Sequence, residues 1–286
     1  MASAIDQLPD RPLSPPVRPI PWLALVWFGA LFAAAFFPVL RHLVEQWSTD
    51  DDVSHGFFVP LVAGFIAWQR RDQILAAEYR PAWWGLAAMA WAALQGYVGM
   101  LGAELFLQRT AFLIALVGLL LVAGGTRLIR LLAFPLLLLP FMIPLPAVLY
   151  NQITFPLQLF ASQVAEVSLG LIGIPVLRDG NVLELASQKL SVVEACSGIR
   201  SLLSLSFLSL VYAYFFDQKV WMRGVLLLAT IPVAIIANSG RVTITGTLSE
   251  INTEWAQGCF HSLEGWIIFA IALVLNHRLR LGTTYL

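Results

Sequence analysis

The stretch LFLQRTAFLIALVGLLLVAG, residues 105–124, decides the fold class of this chain because almost every side chain in it is apolar. Its one charged residue, Arg109, lies near its start. The hydrocarbon core of a bilayer is about 30 Å thick and is crossed by a helix of about 20 apolar residues. The stretch is therefore predicted to span a membrane. The whole chain agrees, since 59% of its 286 residues are hydrophobic and 12% are charged, unlike a soluble globular domain.

Similar apolar runs divide the chain into eight predicted spans, so the sequence predicts an all-α polytopic membrane protein with eight transmembrane helices. The runs lie near residues 20–40, 53–68, 82–103, 105–124, 131–149, 199–216, 221–237 and 262–276. Residues 1–19, MASAIDQLPDRPLSPPVRP, are proline-rich and lack the apolar core and cleavage site of a signal peptide. We predict a disordered cytoplasmic tail there and one transmembrane domain over residues 20–286.

Basic residues predict the orientation, because Lys and Arg collect in the cytoplasmic loops of membrane proteins. They mark one side of the predicted bundle at Arg70, Arg71, Arg80, Arg127, Arg130, Lys219, Arg223, Arg278 and Arg280. The acidic run from Asp50 to Asp52 lies at the other end of the first span and suits an external loop. Both termini are therefore predicted to be cytoplasmic. The net charge is zero and no basic block could follow a phosphate backbone, which excludes nucleic acid as a partner.

One long external insertion, residues 151–195, precedes the sixth span. Its first part, NQITFPLQLFASQVAEVSLGLIG, is too polar for a comfortable span and is predicted to form an interfacial helix. The following stretch alternates as strands do, with turn signals at residues 179–181 and 186–189. A small external β-meander is therefore predicted to lead the chain into the sixth span.

The stretch SVVEACSGIRS, residues 191–201, places Cys196 at the external mouth of that span, in the first turn of its helix. Free N–H groups and the positive end of the helix dipole stabilise a thiolate there. Ser197 and Gly198 are small enough to let the backbone approach a reacting carbonyl. Arg200 lies one turn into the helix and either supports the thiolate or anchors the helix at the interface. The alternative interpretation of Cys196 is a small buried filler.

Two other predicted external span ends carry polar residues. In IIANSGRVTIT, residues 235–245, Arg241 follows a polar break that contains Asn238, on the side where arginine is unusual. In CFHSLEGW, residues 259–266, His261 opens the eighth span and Glu264 lies three residues on, along the same helix face. A snorkelling arginine and a structural histidine are the alternatives.

Cysteine, histidine and arginine at one membrane face suit acyl transfer from a peptide bond. The thiolate attacks the carbonyl, the imidazole returns a proton to the leaving amine, and the guanidinium stabilises the oxyanion. A thioester acyl-enzyme results, which water, an amine or a hydroxyl resolves, so a cysteine protease and a transpeptidase are both open. No cofactor and no metal are required.

Other functions stay open at this point. A transporter needs ionisable groups near the bilayer midplane, and the predicted spans carry almost none. The chain has two cysteines, and an external Cys196–Cys259 disulfide in an envelope-assembly protein is a rival interpretation. Zinc bound by Cys196, Cys259, His261 and His55 has no recognisable ligand spacing.

Four motifs carry a family resemblance: EACSGIRS, ANSGRV and FHSLEGW in that order, preceded by SHGFFVPLVAGFIAWQRR from Ser54. Together they resemble the exosortase/archaeosortase family of membrane-embedded cysteine transpeptidase-like enzymes. The resemblance implies that Cys196, Arg241 and His261 form the catalytic set. Ser197, Arg200, Asn238 and Glu264 are then expected to bind substrate or support that set.

The resemblance also implies the partners and the location. The substrates are exported proteins with a C-terminal sorting signal, which is a short motif such as Pro-Glu-Pro, one transmembrane helix and a basic end. An unknown acceptor nucleophile and membrane lipid complete the expected partners. The enzyme is expected in a bacterial inner membrane with its active site at the periplasmic face, in connection with exopolysaccharide. Small residues at Gly96, Gly99, Gly118 and Ala123 are candidates to accept the substrate's helix.

Overall fold

The computed structural model describes residues 22–78, 80–192, 198–216 and 220–251, and most of them are helical. The α-helices are α1 Trp22–Ala35, α2 Phe37–Thr49, α3 Phe58–Gln69, α4 Arg71–Ala76, α5 Trp84–Leu101, α6 Leu105–Leu131, α7 Ala133–Leu138, α8 Ala147–Ile172, α9 Gly198–Phe216 and α10 Val220–Ile251. Two 3-10 helices, Asp51–Phe57 and Leu139–Met142, precede α3 and follow α7. The strands are β1 Val176–Asp179, β2 Val182–Leu185 and β3 Lys189–Ser191.

Helices that suit a membrane are found as predicted, but eight spans are not confirmed. In the ranges given above, three helices are long and apolar enough to cross a bilayer: Leu105–Leu131, Ala147–Ile172 and Leu227–Ile251. A fourth is present if Val26–Ala35 and Phe37–Thr49, which meet at a bend of 64°, count as one broken span. The predicted tail and the predicted eighth span lie outside the described residues.

The predicted fifth span, residues 131–149, is wrong as one continuous helix. The segment divides into α7, the short 3-10 helix and a non-helical connection to α8. Pro140, Pro144 and Pro146 account for the break, because each lacks an N–H donor and clashes with the preceding helical turn. The predicted second span likewise begins as a 3-10 helix, and α3 itself has 12 residues.

The predicted break in the helix after residue 237 is not found, whereas the end of the membrane span there stays a prediction. α10 continues without interruption through the polar residues 238–241 to Ile251. The hydroxyls explain why these polar residues do not break it. Ser239 Oγ donates to the Ile235 carbonyl at 2.9 Å and Thr243 Oγ1 to the Ser239 carbonyl at 3.0 Å, each four residues back along the helix.

The predicted meander is confirmed as a three-stranded antiparallel sheet in the order β1-β2-β3. Asp179 pairs with Val182 across the first turn, where Gly180 adopts a φ of 61°. The helix before the sheet is longer than predicted, since α8 begins at Ala147 and suits a span by length and composition. Its interfacial placement stays a prediction.

Within the described ranges, two large hydrophobic clusters hold these elements together. The first joins α2, α3, α6, α7 and α9 through Leu43, Trp47, Val59, Ala63, Ile66, Phe112, Phe134, Leu138, Met142, Ile143, Phe207 and Leu210. The second packs the inner face of the sheet against α8 and α10 through Ala161, Ala165, Leu169, Leu183, Leu185, Val192 and Val242. The second cluster fixes the sheet to the helix that carries Arg241.

Hydrogen bonds group the span ends in the way that the charge pattern predicts. Arg70, at a predicted cytoplasmic end, donates to the Tyr214 hydroxyl at 2.9 Å and to the Leu131 carbonyl at 2.8 Å. At predicted external ends, the Tyr150 hydroxyl donates to Asp52 Oδ2 at 3.0 Å. The described ends that these bonds join form a predicted cytoplasmic layer and a predicted external layer, and the side of the membrane that each layer faces stays a prediction.

Cysteine labelling tests which layer is external. Both native cysteines are first replaced by alanine, and one new cysteine is then introduced. Two variants carry it at the exposed Ser54 or Asp179, and two others carry it at the exposed Asp72 or at Lys219. We expect a membrane-impermeant thiol reagent added to intact cells to label the first two and to label the other two only after lysis. The opposite pattern would place the sheet in the cytoplasm.

Gly125 lies at a kink inside α6 and packs closely against the backbone of Arg80. Gly125→Ala is therefore expected to destabilise the fold. The glycine's φ of 68° and ψ of −162° lie in a region that is essentially restricted to glycine. An added Cβ would also lie 1.9 Å from the Arg80 carbonyl oxygen. The backbone conformation alone costs about 1–3 kcal/mol.

Gly170→Ala is the matched control, because nothing lies within 4 Å of a Cβ added there and the residue is inside α8. The measurement is the thermal unfolding midpoint of each purified variant in detergent. A Gly125→Ala variant that melts with the wild type would show that this kink is dispensable.

Candidate functional site

Arg241 and Asn238 are the predicted site residues whose surroundings the structure describes. Asn238 is buried and Arg241 is half-buried, one turn apart on α10. The buried Thr245 comes one turn later, so the three side chains lie along one face at spacings of three and four residues. A continuous helix therefore holds the Arg241 backbone, in place of the broken span end that the sequence predicted.

The connection that leads to Cys196 is fixed to this same helix. The β2–β3 turn is bound to the end of α10, since Ser187 Oγ donates to Glu250 Oε1 at 2.7 Å and Gln188 Nε2 to Ser249 Oγ at 2.7 Å. Val192, the residue next after β3, is fully buried in the cluster that also contains Val242. The structure thus brings the chain four residues before Cys196 into one core with the neighbour of Arg241.

The other predicted site residues are less fully described. Cys196, Ser197, His261 and Glu264 lie outside the described residues, as does Cys259. Arg200 lies in the first turn of α9, which begins at Gly198 as predicted for the sixth span. The geometry of the proposed triad therefore stays a prediction.

The family assignment follows from a comparison with known proteins. Residues 47–276 match the family model of the transmembrane exosortases, and this range covers most of the chain. The chain belongs to the transmembrane exosortase family. No curated protein and no solved structure matches it. The matched range of this exosortase contains Cys196, Arg241 and His261.

Membership confirms the family resemblance of the motifs and gives a coarse function. Exosortases are membrane proteins associated with protein sorting and with cysteine peptidase-like chemistry. This exosortase is accordingly a multi-pass membrane protein, as its long apolar helices also indicate.

His55 and Arg109 are buried or partly buried polar groups of this exosortase that are not part of the predicted triad. His55 Nε2 lies 3.1 Å from the Phe141 carbonyl, so it carries the proton and donates, and the ring is partly buried. Arg109 is 4% exposed, and its Nε has no hydrogen-bond partner among the described residues. The sequence signal for Arg109 is one charge within a long apolar run. The sequence signal for His55 is its position in the SHGFF motif.

A zinc site is not formed by the described part of the exosortase. Among the residues whose placement the structure gives, no group of three or more His, Cys, Asp or Glu side chains could hold a metal ion. Three of the four candidate ligands, Cys196, Cys259 and His261, lie outside that part. The zinc alternative therefore has one described ligand, His55, which instead binds a backbone carbonyl.

Three of the four small residues suggested as a surface for the substrate's helix serve the exosortase's own packing, whereas the fourth, Ala123, is exposed. A Cβ added to Gly118 would lie 2.9 Å from the Gly85 carbonyl oxygen, and one added to Gly99 would lie 3.0 Å from Leu107 Cβ. A Cβ added to Gly96 would lie 3.5 Å from Ala111 Cβ. These glycines let α5 and α6 approach closely, so they are not a free surface.

Proposed function

We propose that this exosortase cleaves the C-terminal sorting signal of exported proteins by forming a thioester with Cys196. One observation supports it above others: Val192 and Val242 are buried in one cluster. Val192 lies four residues before the proposed nucleophile and Val242 directly follows the proposed oxyanion donor. The fold therefore ties together two sequence motifs that are about fifty residues apart, as a shared reaction centre requires.

The proposed reaction is acyl transfer in two steps. Cys196 Sγ, as the thiolate, attacks the carbonyl carbon of the scissile peptide bond, and Arg241 stabilises the negative oxygen that forms. The C–N bond then breaks, His261 gives a proton to the leaving amine, and the acyl group remains on sulfur as a thioester. Water completes hydrolysis, or an amine or hydroxyl of an acceptor completes transfer, and each returns the free cysteine.

The neighbouring residues have supporting roles in this proposal. Asn238 is buried one turn before Arg241 and fits a role in positioning the guanidinium. Ser197 has a small side chain, which lets the backbone next to the nucleophile approach the reacting carbonyl. Glu264 fits a role in orienting His261 from the same helix face. Arg200, one turn after Cys196, fits binding of an acidic group on the substrate.

The proposed substrate suits a site at the periplasmic face of an inner membrane. A sorting signal with one transmembrane helix and a basic cytoplasmic end presents its short motif at the outer surface of that membrane. In the predicted topology the sheet is external and therefore lies at the same surface. The acceptor is a further partner whose chemistry is an amine, a hydroxyl or water.

A reporter in bacterial cells tests the function. An exported fluorescent protein is fused to a Pro-Glu-Pro motif, an apolar helix and an arginine cluster, and is produced with or without the exosortase. We expect a processed product only with the exosortase, together with an acyl-enzyme that neutral hydroxylamine releases. Equal processing in both cultures would refute the proposal, and a reporter with the motif replaced by Ala-Ala-Ala is the control for signal recognition.

A further inference from the structure

We propose that the outer edge of β3 binds the peptide substrate as a fourth strand of the sheet, an inference that rests on the proposed function. β3 is the last strand in the order β1-β2-β3, so one of its edges pairs with β2, and no strand in the described ranges pairs with the other. Addition of an extended peptide to a sheet edge is a common mode of peptide recognition. Here the added strand would bind through main-chain hydrogen bonds, which do not depend on the side chains of the substrate.

The register of the sheet shows which backbone groups face the open edge. Leu185 N donates to the Gln188 carbonyl at 2.9 Å and Val192 N to the Asn181 carbonyl at 3.0 Å. Because the ladder alternates, the pair between these two, Leu183 with Leu190, is also the hydrogen-bonded kind. The N–H and C=O groups of Lys189 and Ser191 therefore point away from β2.

Nothing in the described part of the chain pairs with these outward groups. Among the described residues, β2 is the one strand that pairs with β3, and no other backbone hydrogen bond reaches Lys189 or Ser191. A row of such groups at a sheet edge is a template for another extended chain. Two residues at alternate positions provide up to four hydrogen bonds to a peptide.

The edge is also held rigidly, which lowers the entropic cost of adding a strand. Leu190 packs against the second cluster from the inner face of the sheet, and the β2–β3 turn is bound to α10 through Ser187 and Gln188. On the outer face, Lys189 Nζ donates to Glu184, and this hydrogen bond raises the pKa of Lys189. The strand is thus fixed on both faces and at its start.

Chain connectivity directs such a peptide to the proposed nucleophile. Cys196 follows Ser191 by five residues, which span at most about 17 Å when fully extended. A peptide paired with β3 therefore has its next residues within reach of Cys196. The opposite edge strand, β1, has no such link, and its Arg178 is bound to Glu166 of α8 at 2.8 Å.

Ser191→Pro tests the open edge directly. Proline removes the outward N–H and adds a ring there, yet it leaves the ladder to β2 intact, as is usual for proline in edge strands. We expect the variant to process the reporter about tenfold more slowly or worse, since a lost hydrogen bond and a steric block both act. Ser191→Ala keeps the N–H and adds no ring, so we expect it to process the reporter faster than Ser191→Pro, which separates loss of the hydroxyl from loss of the edge.

Photocrosslinking supplies a second measurement that does not depend on how well the proline variant folds. A benzophenone amino acid replaces Lys189, or Leu177 on β1 as the control, in a Cys196→Ala chain produced with the reporter. Leu177 is an exposed side chain. We expect the reporter to be captured from position 189 and not from position 177.

The outcomes separate this inference from the proposed function. If the wild-type chain leaves the reporter intact, the proposed function fails and this inference fails with it. If the wild-type chain processes the reporter, wild-type rates for folded Ser191→Pro overturn the β3 edge alone. Capture from position 177 instead of position 189 overturns it as well, whether or not the proline variant folds.

Discussion

Cys196→Ala is expected to abolish processing of the reporter while the protein is still produced and inserted. The change removes the sulfur that is proposed to attack the carbonyl, so the proposed thioester could not form. Loss of a nucleophile in an enzyme of this kind lowers the rate by about a million-fold, and only background hydrolysis remains. Alanine is small and apolar, so we expect little change in packing at the start of α9.

Cys259→Ala is the matched control for this experiment. The change removes the other cysteine of the chain, and we expect near-normal processing. The measurement is the ratio of full-length to processed reporter in cells with equal amounts of each variant. Equal loss from both substitutions would favour the Cys196–Cys259 disulfide. Alkylation of Cys196 without reductant, detected by intact mass, would exclude that disulfide.

Arg241→Lys is the second prediction with a large effect. Lysine keeps the positive charge and the reach of the side chain, but it loses the planar set of donors. We therefore expect normal insertion of α10 and a loss of processing of about a hundred- to a thousandfold, which is typical when one oxyanion donor is removed. His261→Gln should be comparably damaging, because glutamine cannot transfer a proton at neutral pH.

Arg223→Lys is the matched control, since Arg223 lies on the same helix near its predicted cytoplasmic end. We expect that variant to process the reporter normally. Initial rates at equal protein levels are compared for the two lysine variants. Wild-type rates for Arg241→Lys would show that charge alone suffices at this position, and the oxyanion would then depend on backbone N–H groups near Cys196.

The sequence predicted those parts of the fold that local patterns determine. The hairpin around Gly180 was predictable because a turn of this kind needs a positive φ, and the apolar run that begins at Leu105 could only be a long buried or membrane helix. The uninterrupted α10 was not predictable from polarity. Ser239 and Gly240 look like a break, but the serine hydroxyl bonds back to the Ile235 carbonyl inside the helix.

The candidate site was predictable as a set of motifs and not as an arrangement. EACSGIRS and ANSGRV drew attention to Cys196 and Arg241 individually. That the connection to Cys196 is anchored beside Arg241 depends on tertiary contacts, namely the packing of Val192 and the bond from Ser187 to Glu250. Contacts between residues so distant in sequence leave no local signature in one sequence.

The broken helix after α7 sets an order of assembly. Backbone carbonyls left open by such a break cost several kcal/mol each in a lipid environment unless the protein satisfies them. Here the Trp47 indole N–H donates to the Met142 carbonyl at 2.9 Å and His55 donates to the Phe141 carbonyl. Both donors are synthesised more than eighty residues earlier than their acceptors. We therefore expect the N-terminal helices to be in place before residues 139–142 pack, because these helices carry the donors for both carbonyls.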